Sequence, residues 1–164
     1  MLAVAAYLAA ACAANVAVTL FGYAALPFTA TALIPFDLTT RDVLHDRWHG
    51  NWLWLRMAAL VASGSTLAWL LCNGSPAVCL ASAVSFCVAG IVDTLAYHGL
   101  SSVPKWQRMN ISNVASSIAD SVCFPLIAFG AVSLTLAVTQ VALKVAGGAL
   151  WVTVFLLLKR RGVL

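Results

Sequence analysis

The chain contains no glutamate, and only 9% of its positions are charged. A soluble domain carries about 25% charged residues. With 63% of 164 residues hydrophobic, a soluble fold of this size has too little interior to hide its apolar surface. In lipid that surface needs no hiding. Other absences exclude further classes. There is no CxxC and no His/Cys ligand spacing, so no metal centre is expected. No P-loop, HExxH, glycine-rich dinucleotide fingerprint or nucleophile–base pair occurs, so neither an enzyme, a cofactor nor an ATPase within the chain is expected. No basic patch is interleaved with aromatics, which argues against a nucleic-acid partner. No basic stretch precedes the first apolar run, so a cleavable signal peptide is not expected.

What is present is a set of long apolar runs punctuated by basic clusters. A spanning helix needs about 20 mostly apolar residues. The runs fall at roughly 2–21, 23–41, 52–72, 77–98, 110–130 and 133–158. They predict one all-α transmembrane domain over residues 1–164, with six helices. Asn73-Gly74-Ser75-Pro76 reads as a tight turn between the third and fourth. Eight of the nine Lys and Arg lie in three clusters, Arg41/Arg47/Arg56, Lys105/Arg108 and Lys159/Arg160/Arg161. Lys and Arg accumulate in cytoplasmic loops. The clusters follow the second, fourth and sixth spans, which predicts a multi-pass inner-membrane protein with both termini in the cytoplasm. Trp48, Trp52, Trp54 and Trp106 sit near span ends, as an aromatic belt requires. His45, His49 and His98 read as solvated loop residues. The five cysteines read as small buried hydrophobes, although Cys72 and Cys79 flank a short loop and can pair.

Charges inside a membrane are expensive and tend to face a cavity or each other. Lys144 is the one basic residue outside the clusters. It shares a helical face with Gln140, Gly147 and Trp151. Asp120 comes to a similar depth on the preceding span, so the two are expected to pair. On that span Asn110, Asn113, Ser116, Ser117, Asp120 and Ser121 fall on one side, and Ile111, Ile118, Val122 and Leu126 on the other. Ser82, Ser85, Ala89 and Asp93 align on the fourth span. Pro35 is expected to kink or unwind the second span just before Asp37, and broken helices beside charges are typical of transporter sites. Asn15 adds a buried amide in the first span.

These residues resemble the putative vitamin-uptake transporter family, whose better understood members are queuosine-precursor transporters. The matching stretches are Ala14-Asn15, Pro35-Phe36-Asp37-Leu38-Thr39-Thr40-Arg41, Val92-Asp93, Asn113-Val114-Ala115-Ser116-Ser117-Ile118-Ala119-Asp120-Ser121 with Phe124 and Leu126-Ile127-Ala128-Phe129-Gly130, and Lys144-Val145. The span-five motif is the most specific. Departures are a shorter N-terminal part and Gly147-Gly148 in span six, where many relatives carry a proline. The resemblance implies import of 7-cyano-7-deazaguanine or a related deazapurine across the inner membrane, by six spans with both termini inside. A carboxylate can accept N1–H and the exocyclic amine of such a base together, and amides or Lys144 can donate to its acceptors. The candidate substrate-binding residues are Asn15, Asp37, Asp93, Asn113, Asp120, Gln140 and Lys144, around a polar cavity at mid-bilayer depth, with Trp151 or Phe124 over the ring. Lipid is the surrounding partner, and a homo-oligomer or energy-coupling subunits are further possible partners. Two other readings stay open. One is the substrate-binding subunit of an ATP-driven vitamin importer; the other is a non-transport assembly or structural protein of the membrane.

Overall fold

In a computed structural model, which describes residues 2–48, 50, 52–72 and 76–161, every regular element is helical. The chain runs α1 (Leu2–Phe21), a 3-10 turn (Gly22–Ala25), a short α2 (Leu26–Phe28), a π-helical turn (Thr29–Leu33), α3 (Ile34–Arg47), α4 (Leu53–Leu70), α5 (Pro76–Gly99), α6 (Lys105–Phe129) and α7 (Leu134–Arg160). The last four are long and apolar enough to cross a bilayer. The boundaries follow local chemistry. Pro76 opens α5, where its missing N–H costs nothing. Pro104 precedes α6, and Gly130 closes it in the left-handed region at φ 69°. His49 and most of the turn expected at Asn73-Gly74-Ser75-Pro76 lie outside the described residues. The cysteines on either side of that turn do pair: Cys72 is bonded to Cys79, with their Cα atoms 5.4 Å apart.

The least apolar helix is the most enclosed. α3 packs against α1, α5, α6 and α7. It buries Pro35, Asp37, Leu38, Thr39, Thr40, Arg41, Asp42, Leu44 and His45. Two sequence expectations are corrected here. Arg41 is not a loop charge; it is 1% exposed. His45 is not solvated; its ring packs on Tyr97 at 5.1 Å and His98 at 5.6 Å. The physical reason is common to both. Lipid offers nothing to a polar side chain, so the helix richest in them takes the position where other helices surround it. Helices exposed to lipid show the converse. On α6, Ile111, Ile118, Val122 and Leu126 are exposed, while Ser112, Asn113, Ser116, Ser117 and Ser121 are buried, as their spacing predicts. Trp52, Trp54 and Trp106 are exposed near helix ends.

The break before α3 falls where Pro35 requires it. Proline has no N–H, so the carbonyl of Thr31, four residues earlier, loses its α-helical partner. The chain widens into the π-turn at that point, with the N–H of Ile34 reaching back to Thr29 O. Helix α7 then lies against the widened turn. Trp151 donates its indole N–H to Ala32 O at 2.8 Å, and Phe36 meets the Trp151 ring edge to face at 4.8 Å.

Candidate functional site

Helix α6 carries the axis of the site. Its serines and Asn113 recur every three or four residues, so they form one stripe. From Ser112 to Ser121 that stripe extends about 14 Å at 1.5 Å per residue. Small side chains let α3, α5 and α7 approach closely along it.

At one end the stripe meets α3 and α5. Arg41 donates to Asp37 Oδ2 at 2.8 Å, one helical turn away. Its second terminal nitrogen lies 3.6 Å from Asp93 Oδ2. Asp93 accepts a hydrogen bond from Ser116 at 3.4 Å, and Asp42 accepts one from Ser112 at 3.3 Å. Tyr7 and Phe86 present their rings to the guanidinium at 5.5 and 5.6 Å, within cation–π range. Gly90 makes room for Arg41: a Cβ there would stand 3.2 Å from its NH1 and 2.8 Å from Val61.

At the other end α6 meets α7. Lys144, 2% exposed, donates to Asp120 Oδ2 at 2.5 Å and to Ser121 Oγ at 3.1 Å. Asp120 is the half-open partner, its side chain 24% exposed. Level with the first cluster along α6, but turned toward α7, lies Asn113. It is fully enclosed, and neither its amide oxygen nor its nitrogen has a hydrogen-bond partner within the described protein. Gly148 of α7 faces it; a Cβ there would stand 3.2 Å from Nδ2. Buried amides are nearly always paired, so this one is the outstanding orphan of the stripe. Ser117 Oγ, one turn along, is also without a partner in the protein.

Five of the seven candidate residues therefore gather along α6: Asp37, Asp93, Asn113, Asp120 and Lys144. The expected Asp120–Lys144 ion pair forms. Asn15 does not join them. Its amide nitrogen turns back onto Ala11 O at 2.9 Å. Gln140 is half-buried one turn before Lys144 and makes no recorded bond to the others. Trp151 is committed to Ala32 O and Phe36 rather than free to cover a ligand. Arg41 and Asp42 are enclosed charges beside the site that the candidate set does not contain. Their place beside other charges suggested a loop, and only the Pro35 break, which restarts the helix, hinted otherwise. Asn113, Ser117 and Lys144 are enclosed by protein. Two hollows lie away from these residues, one of about 270 Å³ at Trp106, Asn110, Val152 and Arg160 and one of about 290 Å³ at Met57, Val61, Ile91 and Thr94. Gly148 lets α7 approach the stripe at Asn113, while Gly90 lets α5 approach Val61 and Arg41 and Gly147 seats α7 on Thr31 and Pro35.

A separate network ties the far ends of α3, α5 and α6. Asp46 accepts hydrogen bonds from Lys105 and from Tyr97 Oη, the latter at 2.8 Å. Arg108 donates to Tyr97 O at 2.6 Å and lies 3.6 Å over its ring. Partial burial opposes ionisation of Asp46, but the bonds from Lys105 and Tyr97 outweigh it and hold the carboxyl below the usual carboxylate range.

This combination is a bundle of apolar helices long enough to cross a membrane, with charges gathered on facing helices. No curated protein and no solved structure matches the chain. Residues 3–158, nearly its whole length, match the family described as putative vitamin uptake transporter, and the chain belongs to that family of multi-pass membrane transporters.

Proposed function

We propose that this chain imports a small flat heterocycle, a queuosine precursor such as 7-cyano-7-deazaguanine, through the α6 stripe. The single observation that carries the reading is the fully enclosed amide of Asn113, unpaired among the described residues and facing Gly148 of α7. A buried amide without partners costs about 1–3 kcal/mol, and a ligand that offers both a donor and an acceptor removes that cost. A deazapurine edge has both. Asp120 is the carboxylate best placed to accept its N–H groups, since its side chain retains some exposure. Lys144 then donates to the ring acceptors, and Gln140 lies one turn away on the same helix. Asp37 and Asp93, held by Arg41, form the polar wall on the far side. The closed stripe corresponds to one state of an alternating cycle, in which α7 separates from α6 to admit solute. The chain forms six spans in this reading, α1 and the broken segment over residues 23–41 included, with both termini in the cytoplasm of a bacterial inner membrane.

The test is uptake of labelled 7-cyano-7-deazaguanine by cells that lack both its synthesis and their own transporter. Wild-type chain restores uptake. Asn113→Ala and Lys144→Met, at equal membrane abundance, reduce it at least tenfold. Uptake by either variant equal to wild type overturns the site assignment. Absence of uptake by the wild type, with a thermal shift by a different heterocycle, overturns the substrate.

A further inference from the structure

The charge balance around Arg41 does not close. Asp37, Asp42 and Asp93 are 3%, 1% and 0% exposed. Three carboxylates thus face one guanidinium, a net charge of −2 if all are ionised. Among the described residues, no Lys or Arg other than Arg41 is paired with these carboxylates. On α1, Tyr7 offers a neutral ring. On α6, Ser112 and Ser116 offer hydroxyls. Lys105 and Arg108 at the start of α6 are engaged with Asp46. On α7, Lys144 is engaged with Asp120. On α5, Tyr97 donates to Asp46 and His98 is exposed. On α3 itself, His45 packs among Tyr97 and His98 one turn beyond Arg41. Arg47 is exposed.

The three carboxylates are not equivalent. Among the three carboxylates, Asp37 takes a direct hydrogen bond from Arg41. Asp93 stands off at 3.6 Å, beyond hydrogen-bond length, with its other oxygen on a serine. Asp42 has only the hydroxyl of Ser112. An enclosed, unpaired carboxylate is far more costly than a carboxylic acid. We propose that Asp42 and Asp93 form a proton-binding site, and that protons taken up there couple the chain's transport to the proton gradient. Each proton adds to a carboxylate oxygen and comes from water. Two bring the cluster from −2 to neutral, and release on the opposite side returns them. Asp46, one turn beyond Asp42 on α3 and 27% exposed at its side chain, lies between this site and solvent. The coupling rests on the transport reading above; the proton site itself does not.

Two measurements separate them. Infrared spectra of the purified chain in lipid at pH 7 are expected to show the carbonyl stretch of a protonated carboxylic acid. It should move on deuteration and weaken in Asp42→Asn and in Asp93→Asn. A folded wild type without such a band overturns the proton site, whatever the variants do. Proteoliposomes with labelled 7-cyano-7-deazaguanine and an imposed pH gradient then test coupling. Uptake is expected to rise at least fivefold with acid outside, and Asp42→Asn is expected to lose that dependence while still exchanging solute. Uptake that ignores the gradient overturns coupling and leaves the substrate reading standing. An intact infrared band without uptake overturns the substrate reading and leaves the proton site standing.

Discussion

Gly147 of α7 rides on the carbonyl of Thr31, so close that a Cβ at Gly147 would stand 2.1 Å from Thr31 O and 2.9 Å from the Pro35 ring. The carbonyl is the one that Pro35 releases from the helix. Proline on one helix and glycine on another thus solve a single packing problem.

That contact gives the first prediction. Gly147→Ala places a methyl against backbone that cannot rotate away. We expect a loss of about 1–3 kcal/mol, the usual cost of overpacking, read as a lower melting temperature of the purified chain. Gly99→Ala is the control, because a Cβ there meets nothing within 4 Å. Equal melting of the two variants would show that α7 does not seat on the π-turn.

The second concerns Arg41. Removing one partner of a buried ion pair costs about 3–5 kcal/mol, because the other charge stays behind. Arg41→Met should therefore abolish accumulation of folded protein. Adding Asp37→Asn and Asp93→Asn to the same chain removes the stranded charges, so it should restore part of the folded yield by size-exclusion chromatography. A triple variant no better than Arg41→Met would mean that Arg41 acts through packing on Tyr7 and Phe86 instead.

How far the sequence could be read differs between helices. On α6 the pattern is regular over about four turns, so its buried face and its lipid face are both legible from Asn113 to Leu126. The Asp120–Lys144 pair followed from depth alone. On α3 the same reasoning failed. Ten residues rich in Asp, Arg, Thr and His look like the end of a span and the start of a loop. Burial of Arg41 depends on Gly90, Tyr7 and Asp93, which lie on two other helices, and no local pattern announces that meeting. The closure of the stripe was equally invisible, because it depends on how near glycines bring the backbones.

The third prediction separates support from function at Asp120 and Lys144. Replaced together, as Asp120→Asn with Lys144→Met, they leave no stranded charge, so the fold should survive with a melting temperature near that of wild type. Uptake should nevertheless fall to background. A double variant that still transports would reduce the pair to a structural tie.

The fourth uses the cysteines. Cys12, Cys87 and Cys123 are free, and Cys72 and Cys79 are bonded to each other. Mass spectrometry of the denatured chain after alkylation should find three modified thiols without reductant and five with it. Disulfides persist in oxidising compartments. A bonded pair in protein from whole cells therefore puts the α4–α5 connection outside the cytoplasm, the side on which the basic clusters do not lie. Five reactive thiols without reductant would remove that support for the orientation.

The last concerns pH and the network at Asp46. Its carboxyl is held below the usual carboxylate range in the folded chain. Such a group contributes its stability fully above the unfolded value of about 4, and the contribution is lost as pH falls through the lower, folded value. Wild type should therefore exceed Asp46→Asn in stability at pH 7, and the gap should narrow as the pH falls below about 4. Thermal unfolding of both chains across that interval checks it. The hydrogen bonds from Lys105 and Tyr97 are the source of the difference, so Lys105→Met should bring wild type and Asp46→Asn closer at pH 7 as well. A gap that stays constant from pH 7 to pH 3 would mean that Asp46 supports the ends of α3, α5 and α6 by shape rather than by charge.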